Sequence, residues 1–134
     1  MSGYILVVDD QYGVRLLIHK VLEESGYNVK MAANGSECLD LAISLNRPSL
    51  ILLDNRMPAM TGLQVLSRLS EDYYAKNIPV IMISAESDLE DVARCLGVQS
   101  FLSKPLDVDV LLKTVEQTLA GARLEQRDAG RSLN

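Results

Sequence analysis

The chain has 134 residues and is 48% hydrophobic, which fits one globular domain with a real core and not a disordered segment. Its 13 basic and 18 acidic side chains leave a net charge of -5, which disfavours a broad nucleic-acid-binding face and any direct contact with DNA by this chain. Cys38 and Cys95 stand far apart with no CxxC or Cys/His cluster, so neither a zinc site nor a disulfide framework is indicated. The N-terminal "MSGYILVV" lacks the basic segment and cleavage site of a signal peptide, and no apolar run approaches the roughly 18 residues of a membrane span. A cytoplasmic protein with no membrane partner is expected.

In chain order, "YILVV" (4–8) reads as a first strand that runs straight into Asp9 and Asp10. Val14, Leu17, Ile18, Val21 and Leu22 then follow helical spacing until Gly26 stops the helix. "NVKMA" (28–32) is a second, more polar strand. Asn34 followed by Glu37 predicts a capped helix carrying Leu39, Ala42 and Ile43, which ends before Pro48. "LILL" (50–53) is the third strand, and Thr61 caps a helix with Leu63, Leu66 and Leu69. "VIMIS" (80–84) is the fourth, followed by a helix lined by Leu89, Val92, Ala93 and Leu96 that stops at Gly97. "SFL" (100–102) is the fifth, and Asp107 caps a last helix with the stripe Val108, Leu111, Leu112, Val115 and Leu119.

Residues 1–120 read as one domain; 121–134, with scattered charges and two glycines, read as a frayed helix extension or a linker stub. Four of the five strands are too apolar to have a solvated face, which suits a parallel sheet covered on both sides. Strict alternation with right-handed crossovers gives a three-layer α/β sandwich.

The polar residues that matter share one position in this pattern. Asp9 and Asp10 follow the first strand, Asp54 the third, Ser84 closes the fourth, and Lys104 follows the fifth. In an open parallel sheet all five converge on one crevice at the strand carboxyl ends. Three carboxylates there raise one another's pKa unless a cation is present; adjacent acids repel by about 1 kcal/mol at ~4 Å in water. Mg²⁺ suits such donors, with Mn²⁺ as a substitute, since no imidazole or thiolate joins the group. Acids, Mg²⁺, one lysine and one hydroxyl point to phosphoryl transfer, with Asp54 as nucleophile, Asp9 and Asp10 holding the metal, and Ser84 and Lys104 gripping the phosphoryl oxygens.

The stretches "VVDDQYGVR", "LLDNRMPAMTG", "MISAE" and "FLSKP", in this order over residues 4–119, resemble the receiver domain of two-component response regulators, and most closely the stand-alone receivers of sporulation-type phosphorelays. The resemblance implies a (βα)5 flavodoxin-like fold with strand order 2-1-3-4-5. It implies phosphorylation of Asp54 from a phosphohistidine on a histidine kinase or histidine phosphotransfer protein. Mg²⁺ would be held by Asp10, Asp54 and the backbone carbonyl of Asn55, with Asp9 acting through water. It further implies a Lys104–phosphoryl contact, a cis Lys104–Pro105 bond, and a switch coupling Ser84 to Phe101. Output would pass through a docking surface to a protein target or through a fused output domain. Arg56 and Glu86, opposite charges two residues beyond Asp54 and Ser84, are expected to pair across the site mouth and slow water entry, with Gln11 on its rim.

Each of these residues also has a plainer reading. Asp9 or Asp10 could cap the first helix, Asp54 could begin a turn, Ser84 could cap the fourth helix, and Lys104 could be a solvated loop residue. Only their shared edge argues otherwise. His19 reads as a helical histidine without function rather than a phosphorylated one, Met57 and Met60 as loop packing or adaptable contact surface rather than metal ligands, and Arg123, Arg127 and Arg131 as a solvated face before a weak partner contact. A Mg²⁺-dependent phosphohydrolase with an aspartyl nucleophile has nearly the same ingredients, but typically carries that nucleophile in a DxD motif after the first strand. A dinucleotide-binding module lacks its GxGxxG here.

Overall fold

In the computed structural model, which describes residues 3–132 (125–132 as backbone only), five strands and five main helices alternate. The order is β1 (Ile5–Val8), α1 (Tyr12–Glu24), β2 (Val29–Ala32), α2 (Gly35–Ala42), β3 (Leu50–Asp54), α3 (Gly62–Glu71), β4 (Val80–Ser84), α4 (Glu90–Cys95), β5 (Ser100–Ser103) and α5 (Val108–Ser132). The strands form one parallel sheet in the order β2-β1-β3-β4-β5, the flavodoxin-like arrangement.

Every residue of the central strands β1, β3 and β4 is buried, whereas the two edge strands are not. The apolar "SFL" run is therefore only partly buried: β5 is an edge strand, with a neighbour on one side only. Alternation along β1 explains the two cores. Leu6 and Val8 face the layer built by α2, α3 and α4, while Ile5 and Val7 face Ile18 and Leu22 of α1 and Leu111 and Val115 of α5.

The expected helix signals appear as hydrogen bonds. Asn34 accepts from the Glu37 amide at 2.9 Å while Glu37 accepts from the Ala33 amide. Thr61 and Gln64 form a reciprocal capping box on α3, and Asp107 accepts from the Val110 amide at 3.1 Å. Gly26 and Gly97, at φ 96° and 97°, end α1 and α4 in the left-handed conformation that glycine adopts freely. Four predicted stripe residues are instead exposed: Leu17, Ile43, Val92 and Val108. Leu17, for example, sits about 100° around the helix from the buried Ile18, on the flank of the buried arc. The fourth helix is also short, because Ser87–Leu89 is wound as a 3₁₀ turn ahead of it. The last helix runs past Gly121, where the apolar pattern fades, to Ser132.

Candidate functional site

Parallel register delivers the polar residues to one edge. Asp54 is the last residue of β3 itself, one position later than the sequence pattern predicts, and Ser84 is the last of β4. Asp9 directly follows β1, its amide donating to the Ala32 carbonyl at 3.2 Å. Lys104 follows β5 and is tied to β4 by its amide, which donates to the Ser84 carbonyl at 3.0 Å. The Lys104–Pro105 peptide is cis.

Carboxylate oxygens of Asp9, Asp10 and Asp54 lie within 4.8 Å of one another. Asp9 and Asp54 are buried, while Asp10 opens to solvent. One ammonium serves two of the three acids: Lys104 Nζ is 3.2 Å from Asp54 Oδ1 and 3.6 Å from Asp9 Oδ2. A surplus of negative charge remains. Burial, and then the nearby Asp9 carboxylate, push the Asp54 carboxyl above its ordinary range, against the pull of Lys104 and with a smaller push from Asp10. This oxygen-only, under-neutralised donor set fits a hard divalent cation such as Mg²⁺.

The acids are positioned by their neighbours. Asp9 Oδ1 accepts from the Gln11 amide at 2.8 Å, and its carbonyl accepts from Arg15 Nη1 at 2.7 Å. The Arg15 guanidinium also lies over the Tyr12 ring, 5.4 Å from its centroid. The N-cap of α1 is Gln11, with no side-chain cap bond, so the capping role considered for Asp10 is not the one it plays. Removing its charge relieves repulsion and leaves no orphaned helix amide. In Mg²⁺-free buffer, Asp10→Ala is expected to raise the thermal unfolding midpoint while weakening Mg²⁺ binding. A loss of about 1 kcal/mol in stability, as removal of an N-cap produces, would instead restore capping as its main role.

Asn55 is tied into the fold by three hydrogen bonds. Its backbone carbonyl accepts from the Gly62 amide at 2.9 Å, its Oδ1 accepts from the Leu63 amide at 3.0 Å, and its Nδ2 donates to Glu86 Oε1 at 3.4 Å. A metal contact could use only the carbonyl's remaining lone pair. Asn55 is foremost an anchor that folds the β3–α3 loop back on β3. In that loop Met57 is buried in the core and Met60 packs against it, as plain packing residues do.

The Ser84 hydroxyl accepts from the Glu86 amide at 3.0 Å, and Phe101, paired across strands with Met82, is half-buried against the α2–α4 core. At the rim, Arg56 Nε lies 3.9 Å from Glu86 Oε1, so the two opposite charges meet there. Gln11 is exposed beside the acids. His19 lies apart on α1, 3.6 Å from Glu23 one turn on. Arg123 is exposed, and the side chains of Arg127 and Arg131 lie outside the described residues. Two positioning residues gave no signal as single letters: Arg15, which needs the Asp9 carbonyl in view, and Gly62, which needs the path of β3.

A doubly wound sheet whose carboxyl edge gathers three acids, a lysine and a hydroxyl is equipped for Mg²⁺-assisted phosphoryl transfer to a carboxylate. The response regulator receiver domain model matches residues 5–116, and the chain belongs to that family. It is 37% identical over 121 residues to the sporulation initiation phosphotransferase F of Bacillus subtilis, covering 89% of this chain and 95% of that protein. It is 34% identical to the polar-differentiation response regulator DivK of Brucella anthropi, over 91% of this chain and all of that one (100%). Among solved structures it is similar to the response regulator TrrA of Thermotoga maritima in complex with Mg²⁺-BeF, with a TM-score of 0.78 and 30% identity over 87% of this chain and 98% of that one. Family membership displaces the phosphohydrolase alternative. Receivers take phosphoryl groups from histidine kinases or phosphotransfer proteins and act as switches in two-component and phosphorelay signalling.

Proposed function

We propose that Asp54 is the phosphoacceptor. Its carboxylate attacks the phosphorus of a phosphohistidine, the P–N bond breaks, and the imidazole of the donor leaves, giving an aspartyl phosphate. The observation that carries this reading is the Lys104 ammonium, 3.2 Å from Asp54 Oδ1 and 3.6 Å from Asp9 Oδ2. A cation held at that spot is poised to follow the charge onto the phosphoryl oxygens. Asp9, Asp10 and Asp54 would hold Mg²⁺, or Mn²⁺ in its place, which when bound neutralises the acids and the incoming phosphoryl charge.

Ser84 supplies the switch. Its hydroxyl, engaged by the Glu86 amide, can turn to the new phosphoryl oxygens, and the space it leaves favours inward packing of the Phe101 ring. Lacking a hydroxyl, Phe101 distinguishes its two states by packing alone. Phosphohistidine donors would dock beside the acids, where Tyr12 stands exposed next to Gln11 at the start of α1 and Leu17 is exposed further along the helix. Output would pass through docking at α4, β5 and α5, the working unit being residues 1–120 with 121–134 as its helical extension. No described helix is long and apolar enough to cross a membrane, and a cytoplasmic site of action fits a phosphorelay.

Incubation with acetyl phosphate and Mg²⁺ followed by intact mass tests the reading: one stable adduct is expected. Rapid hydrolysis of small phosphoesters without an adduct would overturn it. The rim pair sets how long the adduct lasts. Arg56→Ala and Glu86→Ala are each expected to speed dephosphorylation by about twofold to fivefold, as loss of a partly exposed ion pair worth up to about 1 kcal/mol allows. The double variant should be no faster than the worse single one; additive effects in the cycle would remove the coupling.

A further inference from the structure

At the opposite end of the sheet, where β1, β3 and β4 begin, a cleft of about 710 Å³ lies between the strand entries and the C-terminal half of α5. We propose that it binds a small organic anion carrying a flat ring, of the size class of a mononucleotide. The volume falls in the range of small-molecule sites, about 300–1,000 Å³.

The charge of the cleft is opposite to that of the molecule. The chain carries a net charge of -5, yet Arg47 and Arg123 both line the cleft, and no aspartate or glutamate does among its described lining residues. Arg47 is held in place: its Nη1 donates to the Ser44 carbonyl at 3.3 Å, and its guanidinium lies 4.8 Å from the Tyr74 ring centroid. An ordered guanidinium gives up little freedom on meeting an anion and can engage two oxygens at once. Arg123 comes from α5, beyond residues 5–116 that match the family model, so this wall is not part of the matched domain.

The rest of the lining suits a ring. Tyr27 offers aromatic surface, the Arg47 guanidinium backed by Tyr74 offers a second flat one, and Asn28 and Asn77 offer amide donors and acceptors for a heterocycle's edge. The five residues of β3 separate the cleft from Asp54 by about 16 Å. At that distance the acids act only as a distant charge, partly offset by Lys104, whereas Arg47 and Arg123 line the cleft itself.

The test is an amide NMR titration of the full chain in Mg²⁺-free buffer with AMP, adenosine and inorganic phosphate as separate probes. AMP is expected to give saturable shifts at Gly26, Tyr27, Asn28 and Asn77 with a Kd of about 1 mM or tighter, a modest affinity. Adenosine and phosphate should each bind about tenfold more weakly, and Arg47→Ala and Arg123→Ala should each cost AMP about tenfold. Both variants should still take up one phosphoryl group from acetyl phosphate, which shows them folded. The proposal is overturned if AMP leaves these amides unmoved at about 10 mM, well above millimolar affinity. It also fails if phosphate binds as well as AMP, if the arginine variants bind AMP unchanged, or if an Asp/Glu-rich peptide occupies the cleft more tightly than AMP.

Discussion

Asp54→Asn is expected to abolish the adduct formed with acetyl phosphate and Mg²⁺ while leaving the fold intact. Its carboxylate closes β3 and is the nearer of the two that meet Lys104, whose Nζ lies 3.2 Å from Asp54 Oδ1 and 3.6 Å from Asp9 Oδ2. An amide oxygen keeps the shape but loses the charge that makes the nucleophile. An adduct that persisted in this variant, for example on Asp9 or Asp10, would move the acceptor elsewhere.

The same substitution should make the Mg²⁺-free protein more stable, and more so as pH rises. Burial and Asp9 hold the folded Asp54 carboxyl above its ordinary range. Between the unfolded and the folded pKa the native state therefore binds more protons than the unfolded one, and stability falls as pH climbs through that window. Asparagine does not titrate, so the difference in unfolding free energy between Asp54→Asn and wild type should widen over that window and then level off. Saturating Mg²⁺ should close it, since the cation favours the carboxylate. A wild type that gained stability over Asp54→Asn with rising pH, without metal, would contradict the charge surplus at the site.

Much of this site was legible because a parallel sheet converts sequence position into spatial position. Asp9, Asp54, Ser84 and Lys104 each sit at the end of an apolar run, and the runs alternate with helices; no further knowledge is needed to bring them to one edge. Caps were equally plain, as at Asn34 and Thr61, because their hydrogen bonds span only three residues. What stayed hidden depends on backbone paths. Asn55 reads as one more oxygen donor beside Asp54, yet its carbonyl and amide are used to bend the loop onto Gly62 and Leu63. The exposed flank residues Leu17 and Val92 match helical spacing but miss the narrow arc that the sheet covers.

Gly62 carries the most sharply defined of these hidden requirements, and Gly62→Ala is expected to damage both stability and chemistry. A Cβ at this position would lie 2.5 Å from the Asp54 carbonyl oxygen and 2.8 Å from Asn55 Cα. Both are backbone atoms, one of the last residue of β3 and one of the residue that follows it, so no side chain can turn aside to make room. Restoring ordinary contact takes a movement approaching an ångström, and it strains the hydrogen bond from the Gly62 amide to the Asn55 carbonyl. Overpacking of this kind costs about 1–3 kcal/mol. Because the displaced backbone is that of Asp54, the labelling rate with acetyl phosphate should fall by roughly 10²-fold, as a shift of about 1 Å can produce. Gly121→Ala is the matched control: a Cβ there meets nothing within 4 Å. Inside a helix that change should stabilise by about 0.5–1 kcal/mol and leave labelling unchanged. If Gly62→Ala unfolds at the wild-type midpoint and labels at the wild-type rate, the close approach of α3 to the phosphoacceptor strand is not what fixes the position of Asp54.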